Sequence, residues 1–237
     1  MTGGGSGIGL ATCSRLAADG FTLAVLDLDV DAAKAAAGAD GTGYEADVSD
    51  ADAVERTFAE IVAAFGRIDV LVNNAGINGG PAATICHETP VADWDRVHAI
   101  NSRGPFLCSR AALPVMLAQG SGHVITVASV AGMIVFPGRC AYTASKGAAL
   151  MFAKSLAVDY AQAGIRSNAV CPGFVETPMT QWRLDVPELR AKVEGNIPLG
   201  RVAQPTDIAD AISVLASGRL GYMNGHALIV DGGWTAL

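Results

Sequence analysis

Residues 1–10 of the chain read MTGGGSGIGL, and they place Gly3, Gly7 and Gly9 at the start of a helix that we predict over residues 8–18. Glycines at this spacing allow a tight turn and let the backbone approach a pyrophosphate, which then lies at the N-terminus of the helix. A loop of this kind ordinarily follows a β-strand, yet only two residues precede the glycines. A glycine cluster alone is weak support, because ordinary turns also contain such clusters.

The composition limits the class of protein. The 237 residues are 51% hydrophobic and 16% charged, with a formal net charge of −7. This length fits one α/β domain better than two, so we predict a single domain over residues 1–237. The 16 basic residues are scattered, which disfavours nucleic acid as a partner. No apolar run reaches the roughly 18 residues that span a bilayer, and we expect a cytoplasmic protein without a membrane partner.

Short apolar segments alternate with helical segments along the chain. We predict strands near residues 21–26, 43–46, 68–72, 123–127, 165–170 and 227–230, and further helices over 51–65, 91–117, 141–163 and 206–216. This alternation predicts a Rossmann-like, doubly wound parallel sheet with helices on both faces, a three-layer α/β/α arrangement.

One segment, residues 174–199, fits neither a strand nor a regular crossover. It contains three prolines and Trp182, and it follows the carboxyl end of a predicted strand. Ligands bind at that end of the strands in folds of this type, so the segment is predicted to form a substrate lid. The alternative is a surface excursion without a role in binding.

An acidic residue at the end of a predicted strand indicates which nucleotide binds. Asp27 ends the strand near residues 21–26 and lies 18 residues after Gly9. A carboxylate there accepts hydrogen bonds from both adenosine ribose hydroxyls and repels a 2′-phosphate, so NAD is favoured over NADP. Asp29 and Asp31 follow closely, which leaves a turn or helix-capping role as the alternative.

Two other strand ends carry residues suited to the same nucleotide. Asp47 and Val48 follow the strand near 43–46, where an adenine edge would lie. Residues 73–76, NNAG, follow the strand near 68–72, and small residues there let a cofactor pass over the sheet.

A tyrosine and a lysine carry the predicted chemistry. Tyr142 and Lys146 are four residues apart in a predicted helix, so they share one face. A neighbouring ammonium lowers the pKa of a phenol, which can then exchange a proton with an alcohol oxygen. Ser129 ends the strand near 123–127 and offers a hydroxyl that can orient a carbonyl. The tyrosine–lysine spacing alone is common and usually has no catalytic meaning.

Together these motifs resemble the short-chain dehydrogenase/reductase family from Thr2 to Gly233. The matching stretches are TGGGSGIG, NNAG, Ser129, YTASK, Asn101 in HAINSRGPF, and PGFVETPM. The resemblance implies cofactor contacts from Gly3, Ser6, Gly7, Ile8, Gly9, Asp27, Leu28, Asp47, Val48, Asn74, Ala75, Gly76, Tyr142, Lys146, Pro172, Gly173, Val175 and Thr177.

The resemblance also implies a mechanism without a metal. Tyr142 would act as general acid and base, and Lys146 would lower its pKa and bind the nicotinamide ribose. Ser129 would position the substrate oxygen, and Asn101 would hold the water of a proton relay. The reaction would be reversible hydride transfer between C4 of the nicotinamide and a carbinol or carbonyl carbon.

The substrate is less defined by the sequence. An NAD-linked dehydrogenase of a secondary alcohol is the leading hypothesis. The alternatives are a 3-oxoacyl-thioester (acyl-carrier-protein) reductase that uses NADP(H), and a non-catalytic nucleotide-binding scaffold. Five residues near the predicted pocket could line it, although a surface or packing role is the more common one for each: His87, His98, Arg103, Arg139 and Trp182.

The chain departs from the family pattern at its start, because the family has an apolar strand before the glycine loop. In the expected strand order 3-2-1-4-5-6-7 that strand is central, so its loss would leave a gap between two neighbours. We therefore expect this chain to be a truncated version of a longer one. Family members pair helices like 91–117 and 141–163 between subunits, so a homotetramer or dimer is expected.

Overall fold

The computed structural model describes residues 1–80 and 83–237. In chain order its elements are α1 (Gly7–Ala18), β1 (Ala24–Asp27), α2 (Val30–Ala37), β2 (Thr42–Glu45), α3 (Ala51–Phe65), β3 (Val70–Asn73), α4 (Val91–His98), α5 (Gly104–Gln119), β4 (Gly122–Val127), α6 (Cys140–Tyr160), β5 (Ile165–Pro172), α7 (Pro178–Leu184), α8 (Pro187–Glu194), α9 (Pro205–Ala216) and β6 (Ala227–Val230).

The strands pair in parallel and helices cover both faces, which confirms the predicted fold class. β1 pairs with β2, and the order of the remaining strands is β3-β4-β5-β6. Side chains of successive strand residues point to opposite faces. Val25, Val72 and Ile125 therefore pack with α1, α2 and α9, and Leu26 and Val124 pack with α3 and α5. Burial on both faces explains why β1, β3 and β4 are mostly apolar.

The sheet that the sequence predicts as one is in two pieces. The Met1 ammonium donates to the Ala24 carbonyl over 2.8 Å, and the Met1 carbonyl accepts from Leu26 N over 2.8 Å. On the other side Thr2 N donates to the Val72 carbonyl over 3.0 Å. Met1 and Thr2 thus lie between the carboxyl ends of β1 and β3 and join the two sheets there.

A cleft of about 390 Å³ separates β1 from β3 below this junction. Its walls are mostly apolar and include Met1, Leu23, Phe58, Ile61 and Leu71. The Met1 ammonium is buried beside it, and this burial lowers the pKa of the amine. This cleft lies on the side of the junction away from the glycine loop.

Two local features differ from the prediction. α2 was not expected, and Asp29 caps it by accepting from Asp31 N and Ala32 N. The helix predicted over 91–117 is interrupted by a π-helical turn at Ala99–Arg103. Residues 174–199 contain the short helices α7 and α8. Within the described residues, no helix is long and apolar enough to cross a membrane.

Candidate active site

The glycine loop is held in place by side chains and by close packing. The Thr2 hydroxyl accepts hydrogen bonds from Asn74 N at 3.0 Å and Ala75 N at 3.1 Å. The Asn74 amide donates in turn to the carbonyls of Thr2 and Gly3. A Cβ on Gly9 would overlap the Gly3 carbonyl oxygen, so the turn into α1 requires glycine there. These contacts tie the loop to the carboxyl end of β3.

A cleft of about 320 Å³ opens at the carboxyl ends of β1, β3, β4 and β5, beside the N-terminus of α1. It brings together nearly all the residues predicted to bind the cofactor: Gly3, Ser6, Ile8, Gly9, Asp27, Leu28, Asp47, Val48, Asn74, Ala75, Gly76, Tyr142, Lys146, Pro172, Gly173, Val175 and Thr177. Gly7 does not line the cleft and packs instead against Thr177. Sequence reasoning missed the lining residues Leu26, Ala46, Ile77, Ile100, Val127, Ala128, Pro178, Met179 and Thr180.

The residues around α1 and β1 that are predicted to bind the cofactor lie together in this cleft. Backbone amides at the N-terminus of a helix attract phosphate, and α1 has no acidic residue in its first turn. Asp27 ends β1 at the rim of the cleft, where its carboxylate accepts from Gly5 N at 2.8 Å and from Asp29 N at 3.2 Å. These bonds fix the carboxylate between the loop and α2, in the position predicted for a ribose contact.

Tyr142, Lys146 and Ser129 lie at the other end of the cleft. The Lys146 ammonium is buried, donates to the Val127 carbonyl over 2.8 Å and lies 5.9 Å from the centre of the Tyr142 ring. Burial lowers the pKa of Lys146 to about 8. Burial raises the pKa of the Tyr142 phenol, and the Ser129 hydroxyl and the Arg139 guanidinium offset part of that rise.

Asn101 lies behind these side chains and does not line the cleft. It is buried in the π-helical turn, where its amide accepts from Ile77 N and donates to the Ile77 carbonyl, both over 2.8 Å. The same amide donates to the Ser145 hydroxyl over 2.9 Å, beside Lys146. A π-helical turn often marks a functional site because it redirects one side chain out of the helical pattern. No signal in the sequence predicted this turn.

A second cavity of about 410 Å³ adjoins the first and shares five lining residues with it: Ser129, Tyr142, Gly173, Met179 and Thr180. Arg139 and Trp182, two of the five residues that the sequence suggested for the pocket lining, line this cavity. The sequence analysis missed Arg183 and Lys192, which line it too. The other three residues lie elsewhere. His87 is exposed, His98 stacks on Trp94, and Arg103 donates to the Ser49 carbonyl.

The second cavity combines cations with aromatic walls. The Arg139 guanidinium donates to the carbonyls of Asn78 and Gly80 and lies 5.7 Å from the Trp182 ring. Burial and the nearby charge of Arg183 lower the pKa of Arg139. The Arg183 Nε atom is buried and has no hydrogen-bond partner among the described residues. None of the described residues that line this cavity is acidic.

A parallel α/β sheet with a nucleotide cleft, next to a tyrosine and a lysine on one helix, defines a class of oxidoreductases. A family model described as enoyl-(acyl carrier protein) reductase matches residues 3–235. The chain belongs to the short-chain dehydrogenase/reductase family.

Curated relatives align along nearly their whole length. The chain is 49% identical to 2-(R)-hydroxypropyl-CoM dehydrogenase of Xanthobacter autotrophicus, over all of this chain and 98% of that protein. It is 37% identical to cyclopentanol dehydrogenase of a Comamonas species, over all of this chain and 96% of that one. It is 38% identical to the 3-oxoacyl-[acyl-carrier-protein] reductase FabG of Staphylococcus aureus, over 98% and 96% of the two chains. These relatives support an oxidoreductase.

Solved structures share the same architecture. The crystal structure of gox2181 superposes with a TM-score of 0.95 at 33% identity, over all of this chain and 94% of the other. The structure of ElxO with NADP bound gives a TM-score of 0.93 at 29% identity, over all of this chain and 97% of the other.

Proposed function

We propose that the protein is an NAD-linked dehydrogenase that interconverts a secondary alcohol and a ketone. The observation that carries the proposal is that Ser129 and Tyr142 line both cavities. An alcohol in the second cavity can therefore reach the tyrosine while its carbinol hydrogen faces the first cavity. NAD bound in the first cavity would supply an electrophilic C4 that accepts the hydride.

The side chains of the site would handle the proton of the alcohol. The Tyr142 phenolate accepts the hydroxyl proton as the C–H bond breaks, and the Ser129 hydroxyl donates a hydrogen bond to the same oxygen. The Lys146 ammonium favours the phenolate by its charge. Asn101 supports this arrangement from behind through the Ser145 hydroxyl. In reduction the same groups act in reverse.

Asp27 favours NAD over NADP in this proposal. Its carboxylate is already fixed by two backbone amides at the rim of the cleft. A ribose with two free hydroxyls can donate to it, whereas a 2′-phosphate would be repelled.

We further propose that the alcohol carries an anionic group. Arg139, Arg183 and Lys192 supply three cations to the second cavity, and its described lining offers no carboxylate to neutralise them. A sulfonate or carboxylate would supply that charge and accept hydrogen bonds from the guanidinium groups. The name of the 49% identical relative gives hydroxypropyl-CoM as its substrate, and coenzyme M carries a sulfonate. A 2-hydroxyalkyl thioether sulfonate is therefore the first substrate to test.

Residues 174–199 would cover this substrate as a lid. Met179 and Thr180, at the start of α7, line both cavities, and Trp182 lines the second. In this role the segment would separate a bound substrate from solvent.

Self-association would fit the exposed apolar residues of two long helices. Phe106 on α5 and Met151 and Val158 on α6 are 47%, 61% and 79% exposed. We propose that these helices pair between subunits in a dimer or tetramer. Light scattering at micromolar concentration tests this, and a monomer would contradict it.

Absorbance at 340 nm tests the enzymatic proposal. NAD is combined with 2-hydroxypropyl thioether sulfonate and with neutral secondary alcohols such as cyclopentanol, and NADPH is combined with a 3-oxoacyl thioester. We expect turnover of the sulfonate with NAD, and an increase in KM of roughly tenfold or more in Arg183→Gln for that substrate alone.

The Tyr142→Phe variant separates catalysis from binding. It should lose about 10²- to 10⁴-fold in kcat while its affinity for NAD changes little. Tyr160→Phe, at the end of the same helix, is the matched control. Turnover of the thioester alone would favour the acyl-carrier reductase. NAD binding without turnover of any substrate would favour the non-catalytic scaffold.

A further inference from the structure

Residues 230–234, VDGGW, form a tight turn at the end of β6. The Asp231 carboxylate accepts from Gly233 N at 2.9 Å and from both Thr235 N and the Thr235 hydroxyl at 2.7 Å. Asp231 is 9% exposed, so these three bonds are largely protected from water. They fix the backbone on both sides of Trp234.

The same turn packs against the segment that is proposed to cover the substrate. Gly232 has a φ of +67°, and a Cβ there would lie 2.6 Å from the Ile197 side chain. The Gly232 carbonyl accepts from Leu199 N over 3.1 Å. Glycine is therefore required for both the backbone conformation and the close approach.

This anchoring directs the Trp234 ring into the second cavity. The ring meets Phe136 edge to face, with 5.2 Å between the ring centres. It also packs, with Phe174, against a buried apolar cluster that includes Leu184 and Val193. An aromatic side chain packed in this way presents a rigid surface, because it has only two rotatable bonds and both are restricted by its neighbours.

The lining of the cavity thus combines aromatic and cationic side chains. Phe136, Phe174 and Trp234 are among the aromatic ones. Arg139 is cationic and is held by different segments, the carbonyls of residues 78 and 80 and the Trp182 ring. A carbinol carbon bears two carbon substituents. When the one with the anionic group contacts Arg139, the other can contact the aromatic residues.

We propose that Trp234, backed by Phe136, is a specificity-determining residue that limits the size of the non-anionic substituent on the carbinol carbon. The inference rests on the proposed function for its substrate class. A small alkyl group such as methyl fits against the rigid indole, and longer chains collide with it. Asp231 is the positioning residue that holds the indole in place.

A homologous substrate series tests this inference. The probes are the 2-hydroxypropyl, 2-hydroxybutyl, 2-hydroxypentyl and 2-hydroxy-2-phenylethyl thioether sulfonates, which differ only in the alkyl or aryl group. We measure kcat/KM with NAD for the wild type, Trp234→Ala, Trp234→Phe and Phe136→Ala. Tyr222→Ala, which removes a fully exposed aromatic ring, is the matched control.

The wild type should prefer the 2-hydroxypropyl substrate, which bears a methyl group. Trp234→Ala should raise the kcat/KM for the 2-hydroxypentyl substrate relative to that for the 2-hydroxypropyl substrate at least tenfold, because an apolar pocket usually discriminates about tenfold or more per methylene. Trp234→Phe should give a smaller change in the same direction, and Tyr222→Ala should leave the ratio unchanged. Trp234→Phe retains an aromatic ring, so it keeps the test valid if the alanine variant does not fold. An unchanged ratio in folded Trp234→Ala and Trp234→Phe would overturn the inference.

A binding measurement separates this outcome from a failure of the proposed function. The corresponding ketones are titrated calorimetrically in the presence of NAD, where hydride transfer cannot occur. Size selectivity in these dissociation constants that is lost in Trp234→Ala would support the role of Trp234 even if no alcohol is turned over. Equal affinities for all ketones in the wild type would overturn it even if the methyl substrate is oxidised.

Discussion

The Lys146 ammonium donates a hydrogen bond of 2.8 Å to the Val127 carbonyl, at the carboxyl end of β4. This contact holds a cation that is 5% exposed beside the Tyr142 ring. Burial disfavours the charged form of an amine, and the pKa of Lys146 is accordingly lowered from 10.5 to about 8. Burial of the Lys146 charge therefore lowers the free energy of unfolding.

We expect Lys146→Met to lose activity and to gain stability. The kcat should fall about 100-fold or more, because the cation that favours the phenolate is gone. The free energy of unfolding at pH 7 should rise, by up to ~3 kcal/mol for a pKa shift of this size. The pKa of Lys146 is lower in the folded protein than in the unfolded chain. The loss of stability caused by burying its charge is therefore complete below pH 8 and decreases as the pH rises toward 10.5.

Lys154→Met is the control for this variant, since Lys154 is an exposed residue of the same helix. Urea denaturation and initial rates, each measured at pH 7, provide the two readouts. A Lys146→Met protein that is both active and less stable would contradict the interpretation of the site.

The Asp27→Asn variant should weaken the preference for NAD. Hydrogen bonds to a charged group contribute about 1.5–3 kcal/mol, so the ratio of kcat/KM for NAD over NADP should fall at least tenfold. Asp31→Asn, which changes a nearby carboxylate that is 93% exposed, is the control. A wild-type protein that prefers NADP would refute the proposed role of Asp27.

Acid should destabilise the fold through His123. This residue is 3% exposed, and its Nε2 atom accepts from the Asn168 amide over 2.9 Å, which requires neutral imidazole. Burial and the Arg166 charge lower the pKa of His123 to about 4. The unfolded chain binds the proton first as the pH falls, so stability is lost between pH 6.5 and 4, on the order of 2 kcal/mol by pH 5.

His123→Gln keeps a side-chain acceptor for Asn168 and cannot be protonated in this range. Its free energy of unfolding should therefore change less between pH 7.5 and pH 5 than that of the wild type. Equal losses in the two proteins, measured by urea denaturation, would show that other groups control the acid transition.

An apolar strand fused ahead of Met1 should fill the cleft between β1 and β3. Met1 and Thr2 already pair with both strands, so five added β-branched residues can continue the same ladder. A gain of about 2 kcal/mol would raise Tm by roughly 4–8 °C. A glycine-serine extension of equal length is the control. Equal Tm values for the two extended proteins would mean that the cleft does not accept a strand.

Local sequence patterns predicted much of the fold. The helix Ala51–Phe65 has the predicted bounds, since Asp50 caps its start and Gly66 ends it. The strand at Ala227–Val230 also has the predicted bounds. α2 was missed although most of its eight residues are alanine, which favours a helix, because it is only about two turns long. The π-helical turn was missed because it depends on contacts between Asn101 and residues far away in the chain.

The amino-acid sequence by itself determined the parallel α/β class. It also predicted that the residues proposed to bind the nucleotide lie together at the carboxyl ends of the strands. This follows because strand period, helix period and the residues at strand ends are local properties. Only the tertiary structure decided that Arg139, Arg183 and Trp234 line one cavity. These residues come from separate segments, and packing of α7, α8 and the C-terminal turn brings them together. The glycine loop illustrates both: its motif is visible in the sequence, but only the structure shows that Thr2, Asn74 and Leu26 hold it between two sheets.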